Sequence, residues 1–240
     1  MPPLLDNSSI INDSLVIRVP GGSFSMDLSV IDTGVVAKLL LLLLIGMGPK
    51  IALVPFLEMT HKFDAKTKVT IGRQMVLVAL VTALIIFAAG SVLMRLLHIT
   101  GGAVAVAGGI VLALLALKMA SGPTEKPHDD LGIPIDPAKI AVFPLAVPYL
   151  LNPVGITVLI LASDEVVSVA SAALVVGLIL LVAAFDYLVF TNIDSLAKRM
   201  KPASLVVSEV VFGILLTAVA VQLFVSGLGG LGIITANNAH

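Results

Sequence analysis

The chain has 240 residues, of which 58 % are apolar and 12 % charged, and its formal net charge is −1. Soluble domains are about 45–50 % apolar and about 25 % charged, so this composition indicates a polytopic protein of the lipid bilayer. The near-neutral charge gives no support for a nucleic-acid partner. The absence of cysteine excludes disulfides, thiol catalysis and thiolate metal sites.

Residues 1–31 are predicted to form an extracytoplasmic segment with a short β-hairpin. In "SLVIRVPGGSFSMDLSV", residues 14–30, apolar side chains alternate on both sides of Pro20-Gly21-Gly22. Alternation predicts two strands with one apolar face, and the Pro-Gly-Gly stretch can turn between them. The alternative is a tail with chance alternation, because a two-stranded hairpin needs something to pack against. A hairpin here would contact the membrane domain, a partner protein or a second copy of the chain.

Six later stretches are apolar and long enough to cross a bilayer, which takes about 20 residues. Their predicted limits are 33–57, 72–97, 101–120, 138–162, 168–192 and 204–227. A polar, proline-rich linker separates the first three from the last three. The predicted organisation is a first three-helix unit at 32–120, a cytoplasmic linker at 121–137, a second unit at 138–228 and an extracytoplasmic tail at 229–240.

The basic residues predict the orientation of these spans, since cytoplasmic loops are enriched in lysine and arginine. Ten of them fall on one side of a six-span arrangement, and only Arg18 and Arg95 fall on the other. The ten are Lys62, Lys66, Lys68, Arg73, Lys118, Lys126, Lys139, Lys198, Arg199 and Lys201. The loops that carry them are therefore predicted to be cytoplasmic, with both termini outside.

The two three-helix units resemble each other when one is shifted by 104 residues. Pro49 then falls on Pro153 and Gly109 on Gly213, and "GIVLALLALK" in span three aligns with "GILLTAVAVQ" in span six. A three-span unit that is repeated once must insert its second copy upside down. Inverted repeats of this kind are a recurring transporter architecture, with the site near the midplane between the halves. Chance similarity among apolar helices is the alternative.

Spans one and four are interrupted at corresponding positions, by "GMGPK" at 46–50 and by "YLLNPVG" at 149–155. Proline removes a backbone hydrogen bond from a helix, and broken backbone persists in a membrane only where protein or water satisfies it. We therefore predict that helices one and four are broken at Pro49 and Pro153 and that the breaks expose backbone to a central binding site. The alternative is two prolines that only kink packed helices.

Four stretches lie between residues 33 and 230 in this order: "GPKIALVPF", "AGGIVLALLALKM", "FPLAVPYLLNPVG" and "GILLTAVAVQLFVSG". In order and spacing they resemble the MarC and small-neutral-amino-acid-transporter family, within the LysE-type exporters. The resemblance implies six spans in a bacterial or archaeal plasma (inner) membrane. In some members it also implies transport of small neutral amino acids.

The candidate substrate-binding residues are those of the two breaks: Gly48, Pro49, Lys50, Asn152, Pro153 and Gly155. The family usually has Asn-Pro or Asp-Pro in span one and Gly-Pro-Gly in span four. Here the residue before the proline is glycine in span one and asparagine in span four. A polar side chain therefore reaches the centre from the other half, and Lys50 adds a cation.

Lys50 and Asp186 are the two ionisable residues that lie deepest in the predicted spans. Because a charge at the bilayer centre costs about 2.5–3.5 kcal/mol on insertion scales, each should face a partner or water. The hypothesis is that they form an ion pair, either as structural support or as a protonation switch that couples transport. The alternative for Asp186 is a hydrogen bond to a neighbouring backbone or hydroxyl group.

These features predict a secondary transporter of a small polar solute, such as a neutral amino acid, with no cofactor. The alternative is a non-transporting accessory subunit of a larger membrane complex, in which the Lys50 side chain fills the central site where a transporter would bind its solute. An enzyme is not predicted, since no catalytic pair of carboxylates, Ser-His arrangement or metal cluster is apparent in the sequence.

Overall fold

A computed structural model describes residues 33–120, 136–193 and 202–234 of the chain, without the side chains of 202–209. The described residues are almost entirely helical. The helices are α1 Thr33–Met47, α2 Pro49–Thr60, α3 Ala65–Leu97, α4 Gly101–Ala120, α5 Pro137–Ile140, α6 Pro153–Glu165, α7 Val169–Thr191 and α8 Pro202–Gly230. An irregular helical segment, Ala141–Leu150, follows α5 and leads to α6; its backbone is extended at Phe143 (φ −136°, ψ 128°) and Val147 (φ −134°, ψ 123°).

Five stretches of the described chain are long and apolar enough to cross a membrane. They are Thr33–Thr60, Ala65–Leu97, Gly101–Ala120, Val169–Thr191 and Val210–Gly230. The pair Pro137–Leu150 and Pro153–Glu165 is bent by 69° and makes a sixth if it is counted as one broken span. The all-helical membrane fold therefore agrees with the sequence prediction, with five spans or six.

The predicted N-terminal β-hairpin was wrong as part of the fold. The described residues contain helices and no β-strand, and residues 14–30 lie outside them. The prediction relied on alternation in two short stretches. Because an isolated two-stranded hairpin is marginally stable in water, such alternation alone does not establish a sheet.

The two broken spans lie at the inside of the bundle. In an apolar 18-residue stretch of span one, Thr33–Thr60, 61 % is buried, against 28 % in the corresponding stretch of α3. Helix α6 packs against α1, α3 and α4, and its first three residues are all buried. The outer helices instead expose large apolar side chains, such as Leu77, Leu114 and Leu188. A lipid-facing surface thus surrounds the irregular backbone, as membranes require.

Helices α4 and α8 form the most extensive contact in the described structure. Their backbones approach closely at glycines: a Cβ atom on Gly109 would lie 2.9 Å from the Ala220 carbonyl oxygen, and one on Gly213 would lie 3.0 Å from the Ala116 carbonyl oxygen. Gly213 and Ala220 are 104 residues after Gly109 and Ala116. The same contact therefore occurs twice with the two helices exchanged, which is what an inverted repeat would produce. The division into two repeats itself stays a prediction.

Candidate functional site

Both predicted breaks occur where the sequence placed them. Pro49 is the first residue of α2 and Pro153 the first of α6, a position that suits proline because its missing N–H has no helical partner there. Gly48 (φ −85°, ψ 163°) and Asn152 (φ −87°, ψ 170°) precede them in nearly the same extended conformation. The two breaks therefore share one local geometry.

The breaks pack directly against each other. The backbones of Gly46 and Gly155 touch, so a Cβ atom on either glycine would overlap backbone atoms of the other. The Asn152 amide N–H also donates a hydrogen bond of 2.9 Å to the Gly46 carbonyl oxygen. Residues from the two halves of the chain are thus in backbone contact at the irregular points of spans one and four.

The Asn152 side chain connects the two breaks. Its oxygen accepts hydrogen bonds from the amides of Val154 (2.9 Å) and Gly155 (3.2 Å), which caps α6. Its Nδ2 donates a hydrogen bond of 2.7 Å to the Ile45 carbonyl oxygen at the end of α1. We call these three bonds, together with the Asn152–Gly46 bond, the Asn152 bridge. Asn152 is fully buried, and the bridge satisfies backbone groups that the helix breaks leave without helical partners.

The α2 break has no equivalent bridge, because there is no room for a side chain at Gly48. A Cβ atom there would overlap the Leu44 carbonyl oxygen of the preceding turn. Span one continues through its break as a single 28-residue stretch, whereas span four bends by 69°. The lack of room at Gly48 is consistent with a polar side chain only at the span-four break. It also leaves α2 without a side-chain cap at its N-terminus.

Lys50 lies next to the break and is exposed, although Pro49 and Ile51 on either side are buried. On the same side of α2 lie the half-buried Leu53 and Leu57, the exposed Glu58 and the C-cap His61, with the buried Val54 among them. We call Lys50, Leu53, Leu57, Glu58 and His61 the α2 stripe; they follow the helical spacing of three and four residues. Lys50 is about 12 Å from Glu58 along the helix axis, at 1.5 Å per residue.

The structure does not pair Lys50 with Asp186. Asp186 is fully buried on α7, and neither of its carboxylate oxygens has a hydrogen-bond partner among the described residues. One turn further along α7, Phe190 packs against Phe56 of α2, with ring centroids 5.0 Å apart. Asp186 therefore lies on the buried face of α7, one turn from this aromatic contact, while Lys50 is exposed on α2.

A surface cleft of about 550 Å³ lies at the beginning of span four, lined by Gln74, Ala138, Lys139, Val142 and Phe143. It contains none of the predicted site residues, and the sequence had indicated Lys139 only as an orientation residue.

The sequence did not identify Gly46 and Ile45 as contact residues. Their signal in the sequence was the irregular "GMG" next to Pro49, but the partner across the chain is visible only in the fold.

The chain matches the description "MarC family integral membrane protein" over residues 34–231. Among curated proteins it is 30 % identical to a UPF0056 membrane protein of Methanocaldococcus jannaschii over 186 residues, which is 77 % of this chain and 91 % of the relative. It is 26 % identical to the UPF0056 inner membrane protein YhgN of Escherichia coli K12 over 191 residues, which is 78 % of this chain and 92 % of the relative. No solved structure matches the chain.

Proposed function

Because the chain belongs to the MarC family of integral membrane proteins, we propose that it is a secondary transporter of a small polar solute, such as a neutral amino acid. The observation that supports this most is the meeting of two helix breaks inside the bundle, at Gly46, Asn152 and Gly155. Discontinuous helices at corresponding positions of two halves are where transporters bind solutes near the midplane. The proposed site consists of Gly48, Pro49, Lys50, Asn152, Pro153 and Gly155.

The polar groups at the breaks suit the two ends of a zwitterion. The carbonyl oxygens of Ile45 and Gly46 accept N–H groups from Asn152 in this structure, and an ammonium group offers the same kind of donor. The N-terminus of α2 carries partial positive charge and has no side-chain cap, which suits a carboxylate. Asn152 thus takes the place of the ammonium group in a closed conformation, and the solute binds when the breaks separate.

The α2 stripe supports a water-filled route to this site. A lysine that faced lipid near the bilayer centre would cost about 2.5–3.5 kcal/mol on insertion scales. Lys50 is exposed, and the charged or polar residues Glu58 and His61 follow it on the same side of the helix. A route that opens along the stripe would keep all three hydrated. With the predicted orientation, it leads from the break to the cytoplasm.

The chain works in a plasma (inner) membrane, as the name of the E. coli relative states for that protein, with both termini outside. It acts without a cofactor and is not an enzyme. The pairing of Lys50 with Asp186 belongs to a conformation other than this one, since only Asp186 is buried here.

Transport into proteoliposomes tests the proposal. Purified wild type, Lys50→Ala and Lys38→Ala are compared for uptake and efflux of labelled alanine. Lys38 is the matched control, since it is also an exposed lysine of span one but lies about three turns before the break. We expect transport by the wild type and by Lys38→Ala, and loss of transport in Lys50→Ala. Equal transport by all three proteins would show that Lys50 is not part of the solute site.

One observation favours the second candidate, a non-transporting accessory subunit. The breaks are in direct backbone contact at Gly46 and Gly155 and leave no gap for a solute in this conformation. If the closed contact were permanent, the fold would serve only as a membrane scaffold. In the same assay, this candidate predicts no transport by the wild type and co-purification of the chain with a larger complex in fixed stoichiometry.

A further inference from the structure

Asp186 is a buried carboxyl group whose oxygens form no hydrogen bond with the described residues of the closed structure. It is 0 % exposed, and neither oxygen receives a hydrogen bond from a described residue. Burial of an ionised carboxylate without a partner is too costly to persist, so such a group stays neutral. The residues one turn away on the same face of α7, namely Val182, Ala183 and Phe190, are buried and apolar.

Contacts of neighbouring residues place Asp186 close to the break in span one. Phe190 meets Gly72 of α3 and Phe56 of α2. Asp186 is one turn before Phe190, and Ala52, which is fully buried, is one turn before Phe56. Phe56 and Phe190 both lie near the C-terminal ends of their helices, and α7 also packs against α1. We infer that α2 and α7 run in the same direction, which brings Asp186 near the level of Ala52. That level is about 6 Å along α2 from Gly48, at 1.5 Å per residue.

No charged group of the neighbouring helices neutralises Asp186. Helix α7 packs against α1, α2 and α3. The charged side chains of these helices are Lys38, Lys50, Glu58, Lys66, Lys68, Arg73 and Arg95, and none of them bonds to the Asp186 oxygens. The Arg73 guanidinium lies over the ring of Tyr187 instead, 5.7 Å from its centroid. A metal cation would require several oxygen ligands, which Val182, Ala183 and Phe190 do not offer. The ligand that fits is a proton.

We propose that Asp186 is a proton-binding site whose proton is exchanged when the break in span one opens. In the closed conformation the carboxyl group is neutral. When α2 moves away from α7, water reaches Asp186, its O–H bond breaks, and the proton passes to water and leaves a carboxylate. Helices α2 and α7 pack together again only after a proton from water returns to the same carboxylate. Each passage through the closed conformation then carries one proton, which deepens the proposed transport function and rests on it.

Infrared spectroscopy of the purified chain tests the bound proton without any solute. We expect a carbonyl band of a protonated carboxylic acid at neutral pH in the wild type and its loss in Asp186→Asn, which keeps the shape of the side chain. Asp164→Asn is the matched control, because Asp164 is an exposed carboxylate of α6 outside the α2 stripe, and it should retain the band. An absent band would show an ionised Asp186 and overturn the proposal.

The link to the break is tested by transfer into heavy water, which shifts the same band as the O–H group becomes O–D. Asn152→Ala removes side-chain hydrogen bonds that hold the breaks together, so exchange at Asp186 should become faster by on the order of tenfold or more. Asp164→Asn should exchange at the wild-type rate. Equal rates in Asn152→Ala and wild type would make Asp186 a structural acid and refute the link. Failure of alanine transport would instead count against the proposed function, since neither infrared result depends on a solute.

Discussion

The Asn152→Ala substitution should destabilise the protein far more than loss of an ordinary surface amide. It removes a helix cap, which contributes about 0.5–2 kcal/mol. It also leaves the Ile45 carbonyl oxygen without its 2.7 Å partner, and a buried unsatisfied carbonyl costs about 1–3 kcal/mol. Together these losses predict a decrease of about 1.5–5 kcal/mol in the free energy of unfolding.

The measurement is far-UV circular dichroism during titration of the detergent-solubilised protein with a denaturing detergent, because the chain has no tryptophan to report by fluorescence. Asn192→Ala is the matched control, since the Asn192 Nδ2 also donates to a backbone carbonyl oxygen, that of Leu188, at 2.8 Å but in an exposed position. We expect a change below about 0.5 kcal/mol for this control. Equal effects of the two substitutions would refute the Asn152 bridge as a buried connection between the breaks.

Three further predictions concern local packing and charge. Gly109→Ala should lower the free energy of unfolding by about 1–3 kcal/mol through overpacking of α4 against α8. Gly177→Ala should not lower it, because nothing lies within 4 Å of the Gly177 Cβ position. Equal results for the two variants in the same titration would contradict the close contact. Gly48→Ala should be destabilising because its Cβ atom would overlap a backbone carbonyl oxygen, and a stable, fully folded variant would show that span one is more open at this point. The Thr67 hydroxyl hydrogen bond holds the pKa of Asp64 below its ordinary value of 3.8, so any stability from this bond is present above pH 3.8 and is lost as the pH falls through the lowered pKa. Thr67→Val should raise the Asp64 pKa towards 3.8 in an NMR titration, and an unchanged pKa would exclude that bond as the cause.

The sequence predicted the helices well where one local signal determines them. The predicted span 101–120 coincides with α4, and Pro49 and Pro153 both begin a helix. These successes have local causes, since an apolar stretch of sufficient length must cross the bilayer and proline cannot continue a helical ladder. The irregular segment at 141–150 was not predicted, because its prolines, Pro144 and Pro148, do not by themselves determine a particular backbone path.

The candidate site could be located from the sequence but not its contacts. The matched prolines indicated the two breaks, yet nothing local showed that Gly46 and Gly155 touch or that Asn152 reaches Ile45 across 107 positions of the chain. The same limit applies to Asp186 and Lys50. Their shared depth suggested a pair, whereas helix rotation places one inside the bundle and the other outside, and rotation is determined by packing.

The most direct test of the central claim is the accessibility of position 50 to water. The chain has no cysteine, so Lys50→Cys supplies a single thiol, and Leu114→Cys, at a lipid-facing position that is 66 % exposed, supplies the control. A membrane-impermeant thiol reagent is applied to either side of proteoliposomes, with and without alanine. The account predicts that Lys50→Cys reacts and that Leu114→Cys does not react, with or without alanine. Absence of reaction at position 50 from both sides would contradict a water-accessible solute site at the helix breaks.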